Sequence, residues 1–543
     1  MTGLGPTIPA LVEGAALSFG SATAIEDGAE RLSFEDLALA CTEAARAFIT
    51  AGVGKGDRVA IWAPNLWEWV VAAVGAHAAG AVLVPLNTRL KGPEAAYVLG
   101  KSRARLLITM DEFLGVRYAD MLVETSGGPG QGRPCRDLGD LEAVVCLRSD
   151  SVLEDGCRTW GDFIADAGRT DAGTAADRSA SVTASDPADI MFTSGTTGKP
   201  KGAVCGHGQN IRAFEVWTEL VGLGRGDRYL IVNPFFHSFG YKAGWLSCIM
   251  RGATALPEAV FDVARILERI GEDRVSVLPG PPAIYQSILA DPRLADFDIS
   301  CLRLAVTGAA AIPVSLIHRM RDELGFETVV TAYGLTEACG LATMCRHDDD
   351  PETIATTSGR AIPDVEVICV DDKGDEVARG GSGEIVIRGY NVMQGYFEDE
   401  AASRASIDAD GWLHTGDVGV MDERGYIRIT DRIKDMFIMG GFNCYPAEIE
   451  STLVEHEDIV QAAVIGVPDE RMGEVGMAYL VTSGAATGGF DEKAVIGWCR
   501  ERMANYKVPR YVEFVEELPM NASGKVTKFV LRDMARQRLS NGG

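Results

Sequence analysis

The chain lacks an excess of basic residues: 51 Lys plus Arg stand against 77 Asp plus Glu, a formal net charge of −26. A nucleic-acid binder presents a basic face to phosphates, so this class is disfavoured, and any anionic ligand must be held by a few local positive groups. The 12 cysteines include no C-x-x-C pair and are too sparse for a disulfide scaffold. Reduced thiols in a cytosol are therefore expected. The seven histidines show neither H-E-x-x-H nor paired Cys/His spacing, which disfavours zinc. No run is long and apolar enough for a membrane span, which takes about 20 residues. Val70 to Leu86 comes nearest, but His77 and glycines interrupt it and Pro85 ends it. Met1 to Pro6 has neither the basic start nor the apolar core of a signal peptide. A G-x-S-x-G elbow is missing, which leaves a serine hydrolase unsupported. No internal repeat is seen. The expectation is a soluble, cytoplasmic protein.

With 47% hydrophobic and 24% charged residues in 543, the chain is globular and long enough to bury a large core. Strand-like and helix-like segments alternate over the first 340 residues or so. Arg58–Trp62 reads as a strand, Trp67–Ala79 as a helix, Ala81–Leu86 as a strand, Val263–Ile270 as a helix, and Val275–Leu278 as a strand. Pro313–Leu324 reads as a helix with proline in its first turn. Such repetition predicts parallel sheets covered by helices, an α/β fold. Thr125–Arg136 and Asp166–Asp186 are polar and rich in small residues, and are expected to be loops. From about residue 360 short alternating strands take over, at 365–370, 384–388 and 426–430. These predict an antiparallel, β-barrel-like piece over about 360–430. A charged run, Asp431–Asp435, precedes a tail long enough to be a small α+β domain. The expected division is 1–430, a hinge at 431–435, and a mobile 436–543.

The strongest local signal is Thr193-Ser194-Gly195-Thr196-Thr197-Gly198-Lys199-Pro200-Lys201-Gly202, directly after the apolar Ile190-Met191-Phe192. Its glycines permit tight turns, its hydroxyls and N–H groups are donors for phosphate oxygens, and its lysines add charge. A flexible linker would share this composition but not the flanking lysines and the preceding strand. It is not a Walker loop, because only two residues separate Gly195 from Gly198 and Pro200 replaces the magnesium-binding Ser or Thr. That disfavours kinases and P-loop ATPases.

This decapeptide resembles the phosphate-binding loop of the adenylate-forming enzymes: acyl-CoA synthetases, peptide-synthetase adenylation domains and luciferase relatives. Further motifs follow in family order. Tyr333-Gly334-Leu335-Thr336-Glu337 resembles the adenine and magnesium motif, and Trp412-Leu413-His414-Thr415-Gly416-Asp417 the ribose motif. Asp431-Arg432-Ile433-Lys434-Asp435 is similar to the hinge, and Pro519 to Lys525 to the loop bearing the catalytic lysine. The resemblance covers nearly the whole chain. It implies ATP, Mg²⁺ and coenzyme A as co-substrates or cofactors, with an organic acid as partner. Thr193 to Lys199, Tyr333, Thr336, Asp417, Arg432 and Lys525 would bind ATP, while Glu337 and Thr196 would hold the metal. The side-chain chemistry is apt in each case. Tyr333 offers a flat face to a purine, Glu337 a hard oxygen to Mg²⁺, and Asp417 an acceptor to ribose hydroxyls. Standing alone, each would be read as a core tyrosine, a helix-start glutamate, a turn aspartate or a solvated lysine. Only their ordered set favours the site.

Asn233 to Gly240 resembles the family's acyl-pocket segment, with His237 beside the carboxylate; a satisfied core histidine is the plain alternative. No acidic residue falls between 233 and 240, which disfavours an amino-acid substrate. The same resemblance places Gly240, Thr307, Gly308, Ala309, Ala310 and Gly334 around the acyl group. It also places Gly440, Gly441 and Phe442 along a pantetheine channel. Ile61-Trp-Ala-Pro-Asn65, Phe236 to Gly244, Val277 to Pro282 and Thr307 to Pro313 resemble the actinobacterial ligases that activate a sterol-derived indanedione propanoate. The expectation is an ATP-dependent acid:CoA ligase for a bulky hydrophobic acid. A medium- or long-chain fatty acyl-CoA ligase, a carrier-loading adenylation enzyme and a non-catalytic nucleotide binder remain alternatives. Oligomeric state is left open, a homodimer included.

Overall fold

Arg58–Trp62, Val82–Pro85, Ala104–Met110, Ala143–Leu147 and Cys157–Thr159 lie side by side as parallel strands. The first four are almost wholly buried, as expected of strands whose two faces are both covered. The computed structural model of the chain describes residues 3–130, 133–149, 156–193, 200–308, 312–432, 435–439, 442–469, 472–483, 491–503, 505–520 and 526–541. Pro187–Thr193 joins the parallel set beside Val82–Pro85, then Lys201–Gly206 and Gly395–Tyr396 add antiparallel to complete eight strands. Helix Trp67–Ala78 packs on this sheet, and helix Phe34–Thr50 packs closely against that helix. A side chain at Gly75 would put its Cβ 2.5 Å from the Ala44 Cβ, so only glycine lets these helices meet.

A second group of strands includes Thr23–Asp27, Arg228–Ile231, Thr254–Pro257, Leu304–Thr307 and Thr328–Tyr333. Val365–Val370, Ser382–Gly389, Leu413–Met421 and Ile427–Arg432 form the expected antiparallel sheet. Beyond it, side chains from Phe437 to Ala535 build their own apolar core around Ile459–Asp469 and Gly473–Thr482.

Three local expectations need correction. Asp166–Asp186 is not all loop: Asp171 caps a helix at Ala172–Ala180, accepting from the Thr174 N–H at 3.1 Å. Alanines with an aspartate cap outweigh the polar composition there. Val275–Leu278 forms no strand; Val277 only bridges singly to Tyr229 and Leu304 before Pro279, which has no N–H to extend a ladder. Pro313 is the cap of the helix Val314–Asp322 and does not lie in its first turn.

Candidate active site

Thr193 and Lys201 are directly opposed in the register of two antiparallel strands, so the two stems of the Gly-rich stretch lie side by side. Ser194, Gly195, Thr196, Thr197, Gly198 and Lys199 lie outside the described residues. Its first stem is tied down, because the Thr193 hydroxyl donates to Glu337 Oε1 at 3.0 Å. Glu337 sits in a single 3₁₀ turn, Thr336–Ala338, just after the strand Thr328–Tyr333. The Tyr396 hydroxyl donates to the same Oε1 at 2.9 Å, and the Met393 N–H donates to the Glu337 carbonyl at 2.8 Å. Burial, with the Glu337 carboxylate second, pushes the Tyr396 phenol well above its usual range, so it remains a donor. The second stem leans on the same ring: Lys201 Nζ is 5.1 Å from its centroid.

Four residues before Glu337, Tyr333 donates its hydroxyl hydrogen to Asp417 Oδ2 at 2.6 Å, and both side chains are buried. Asp417 faces Arg432 in the adjoining strand pair, so the ribose motif and the start of the hinge run meet. The stretch of strand before Asp417 is braced by Glu384, which accepts from the Gly416 N–H at 3.0 Å and pairs with His414 Nδ1 at 2.8 Å. Gly416 has φ +71°, a conformation open to glycine.

The expected acid segment is adjacent. His237 caps a short helix, Ser238–Gly240, with Nδ1 accepting from the Phe239 N–H at 3.2 Å. A Cβ on Gly240 would lie 2.2 Å from the Asn233 carbonyl oxygen, and one on Gly334 2.2 Å from that of Gly340. Gly340, at φ +98°, packs in turn against Ser238, which brings the 333–340 turn onto the His237 segment. Thr307 is buried, and its hydroxyl has no partner among the described residues; Gly308 follows it beside the Ala332 carbonyl. Ala309 and Ala310 lie outside the described residues.

Behind this wall, Lys242 and Asp189 form an ion pair at 3.2 Å with both side chains fully buried. Asn210 adds a 2.6 Å bond to Asp189. Burial is the largest influence on Asp189 and raises it, with Lys242 opposing. The pair fastens the irregular turn Tyr241–Leu246 to the strand that ends at Thr193. The sequence singles out neither this pair nor Tyr396, since neither sits in a recognisable chemical motif. The one signal on offer was a lysine within an otherwise apolar aromatic stretch.

Lys434, Gly440, Gly441 and Lys525 lie outside the described residues, as do the side chains of Arg432 and Phe442. No group of three or more metal-ligating side chains occurs among the described residues. The donors do suit a hard cation. Glu337 Oε2 receives no hydrogen bond from any described residue, and Mg²⁺ is commonly held by one or two carboxylates with substrate phosphates.

The structure thus brings together the first stem of the Gly-rich stretch with Glu337, and Tyr333 with Asp417. Residues 12–397 match the family described as AMP-binding enzyme, and residues 448–525 match the AMP-binding enzyme C-terminal domain. The chain belongs to this family, the adenylate-forming enzymes. It is 48% identical over 534 residues to the 3-(7a-methyl-1,5-dioxo-octahydro-1H-inden-4-yl)propanoyl:CoA ligase of Rhodococcus jostii, covering 98% of this chain and 99% of that one. The ligase of the same name from Mycobacterium tuberculosis is 48% identical over 529 residues, covering 97% and 99%. The crystal structure of the anthranilate CoA ligase AuaEII with anthranoyl-AMP superposes with a TM-score of 0.88 at 27% identity, covering 98% of both chains. Among the described residues, no helix is long and apolar enough to cross a membrane.

Proposed function

We propose that this chain is an ATP-dependent acid:CoA ligase whose acid is a bulky fused-ring propanoate of the methyl-dioxo-octahydroindene type. The observation that carries the reading is the convergence of Thr193, Tyr333, Glu337 and Asp417, from three separated motifs: Thr193 bonds Glu337, and Tyr333, four residues before Glu337, bonds Asp417. The substrate class rests on full-length identity to two ligases named for that acid.

In this reading Tyr333 stacks on the adenine while its hydroxyl steadies Asp417, which accepts from the ribose hydroxyls with Arg432 opposite. The N–H groups and hydroxyls of Ser194 to Lys199 wrap the phosphates. Glu337, with Thr196 and Thr336 nearby, would hold Mg²⁺, which supplies charge neutralisation on the triphosphate. His237 lies beside the acid's carboxylate, and Gly240, Thr307, Gly308, Ala309, Ala310 and Gly334 surround its rings.

With repulsion between carboxylate and triphosphate reduced, the acid's oxygen attacks the α-phosphorus, pyrophosphate departs, and an acyl-adenylate remains. Lys525 places a positive charge beside that phosphorus. In the second half the CoA thiolate, led past Gly440, Gly441 and Phe442, attacks the acyl carbonyl and AMP leaves. Residues 1–430 and 436–543 would act as two bodies rotating at 431–435, with Lys434 as the pivot. The separate apolar core beyond Phe437 supports that division. A cytoplasmic setting is consistent with twelve cysteines that include no C-x-x-C pair.

The test is pyrophosphate release and CoA-thioester formation over ring propanoates, straight-chain fatty acids and aryl acids, read by mass spectrometry. Ring propanoates should turn over fastest, and thioester should form only with CoA. Rapid turnover of straight chains beside inert ring acids would overturn the substrate assignment. No pyrophosphate exchange with any acid would overturn the ligase reading.

A further inference from the structure

We infer that Tyr396 is a positioning residue for the cation-binding carboxylate, turning Glu337 so that Oε1 is occupied by protein donors and Oε2 faces the metal–nucleotide. The inference rests on the reading of Glu337 as a metal ligand. Both hydrogen bonds to the Glu337 side chain from described residues, those of Thr193 and Tyr396, end on Oε1. A carboxylate with one oxygen doubly bonded this way cannot rotate without breaking both contacts, so the direction of its second oxygen is fixed. A carboxylate waiting for a cation needs this restraint, because an ordered ligand loses less freedom when the metal arrives.

The grip on Glu337 is also on its main chain. Met393 donates to the Glu337 carbonyl, and three residues later Tyr396 donates to the side chain, so one short segment fixes peptide and carboxylate together. Tyr396 is itself held in place. Its residue pairs with Ala203 in the sheet, and its N–H donates to Ser403 Oγ at 2.8 Å. The Ser403 hydroxyl in turn donates to the Asp399 carbonyl at 2.8 Å. The ring also lies under Lys201, the last lysine of the Gly-rich stretch. One side chain thus joins the far stem of that stretch, through Lys201, to the carboxylate that already holds the near stem, through Thr193.

Tyr396→Phe separates these roles, since it removes the hydroxyl and keeps the ring under Lys201. Mn²⁺ binding in the presence of α,β-methylene-ATP, followed by the electron paramagnetic resonance of free Mn²⁺, reads the site without turnover. Removing an outer partner of a metal ligand weakens metal binding by about 10–100-fold, and a loss of that order is expected here. Saturating Mn²⁺ should restore the rate of pyrophosphate exchange, and the KM for the acid should not move. A damaged fold would not be rescued by metal, so an unrescued loss overturns the inference. So does Mn²⁺ affinity within twofold of the unaltered protein while Glu337→Gln loses it, and in that case Glu337 keeps its role. If Glu337→Gln also binds Mn²⁺ normally, the reading of Glu337 as a ligand fails and the inference falls with it.

Discussion

Tyr333 and Asp417 are 84 residues apart in sequence, yet the tyrosine hydroxyl meets the aspartate carboxylate at 2.6 Å between two different sheets. The contact couples the surface proposed to stack adenine to the group proposed to hold ribose. Tyr333→Phe keeps the ring and removes the donor. A hydrogen bond to a charged group contributes about 1.5–3 kcal/mol, so the KM for ATP should rise about tenfold or more, with little change in the KM for the acid. Initial rates of pyrophosphate release against ATP concentration would check this, and an unchanged ATP KM would detach Tyr333 from the ribose site.

Lys525 is assigned to the first half-reaction alone. Lys525→Ala should therefore lose adenylation by several orders of magnitude, yet still convert supplied acyl-adenylate and CoA to thioester. Equal loss of both halves would contradict two separate working arrangements of the C-terminal segment.

Lys242→Met leaves the fully buried Asp189 carboxylate without its counter-charge. Breaking a buried pair on one side costs about 3–5 kcal/mol, whereas removing both charges together can be nearly neutral. Urea unfolding should show a large drop in midpoint for the single variant and a substantial recovery when Asp189→Asn is added. If the single variant were as stable as the parent, the pair would have no part in holding the acid-side turn to the nucleotide strand.

His77 and His207 are buried with ring centroids 5.0 Å apart. Burial lowers His77 to about 4, opposed by its bond to the Ala188 carbonyl, and lowers His207 as well. Both remain neutral in the fold while the unfolded chain takes up protons near pH 6.5. Stability is therefore fully present above pH 6.5 and is lost as pH falls from there toward 4. For His77 this corresponds to a few kcal/mol at most. Melting temperatures between pH 7.5 and 4.5 should fall, and the slope should be shallower in His77→Gln; an equal slope would remove His77 as a source.

Much of the architecture was legible beforehand because apolar periodicity and turn chemistry are local properties. Arg58–Trp62 and the helix from Trp67 follow from their own residues, and burial on both faces marks them as inner elements. Where local signals compete, the sequence misleads. The stretch after Asp166 is polar enough for a loop, but its alanines and the Asp171 cap make a helix.

The sequence by itself determined the kinds of group available: a Gly-rich donor loop, a carboxylate for a hard cation, a flat ring for a base, and their order along the chain. Tertiary structure alone decided which oxygen of Glu337 is engaged, that Tyr333 holds Asp417, and that Tyr396 and Lys242 belong to the same working region. The physical reason is range. Side-chain chemistry and propensity are set within a few residues, whereas the direction of a hydrogen bond and the burial of a charge depend on strands brought together from distant parts of the chain.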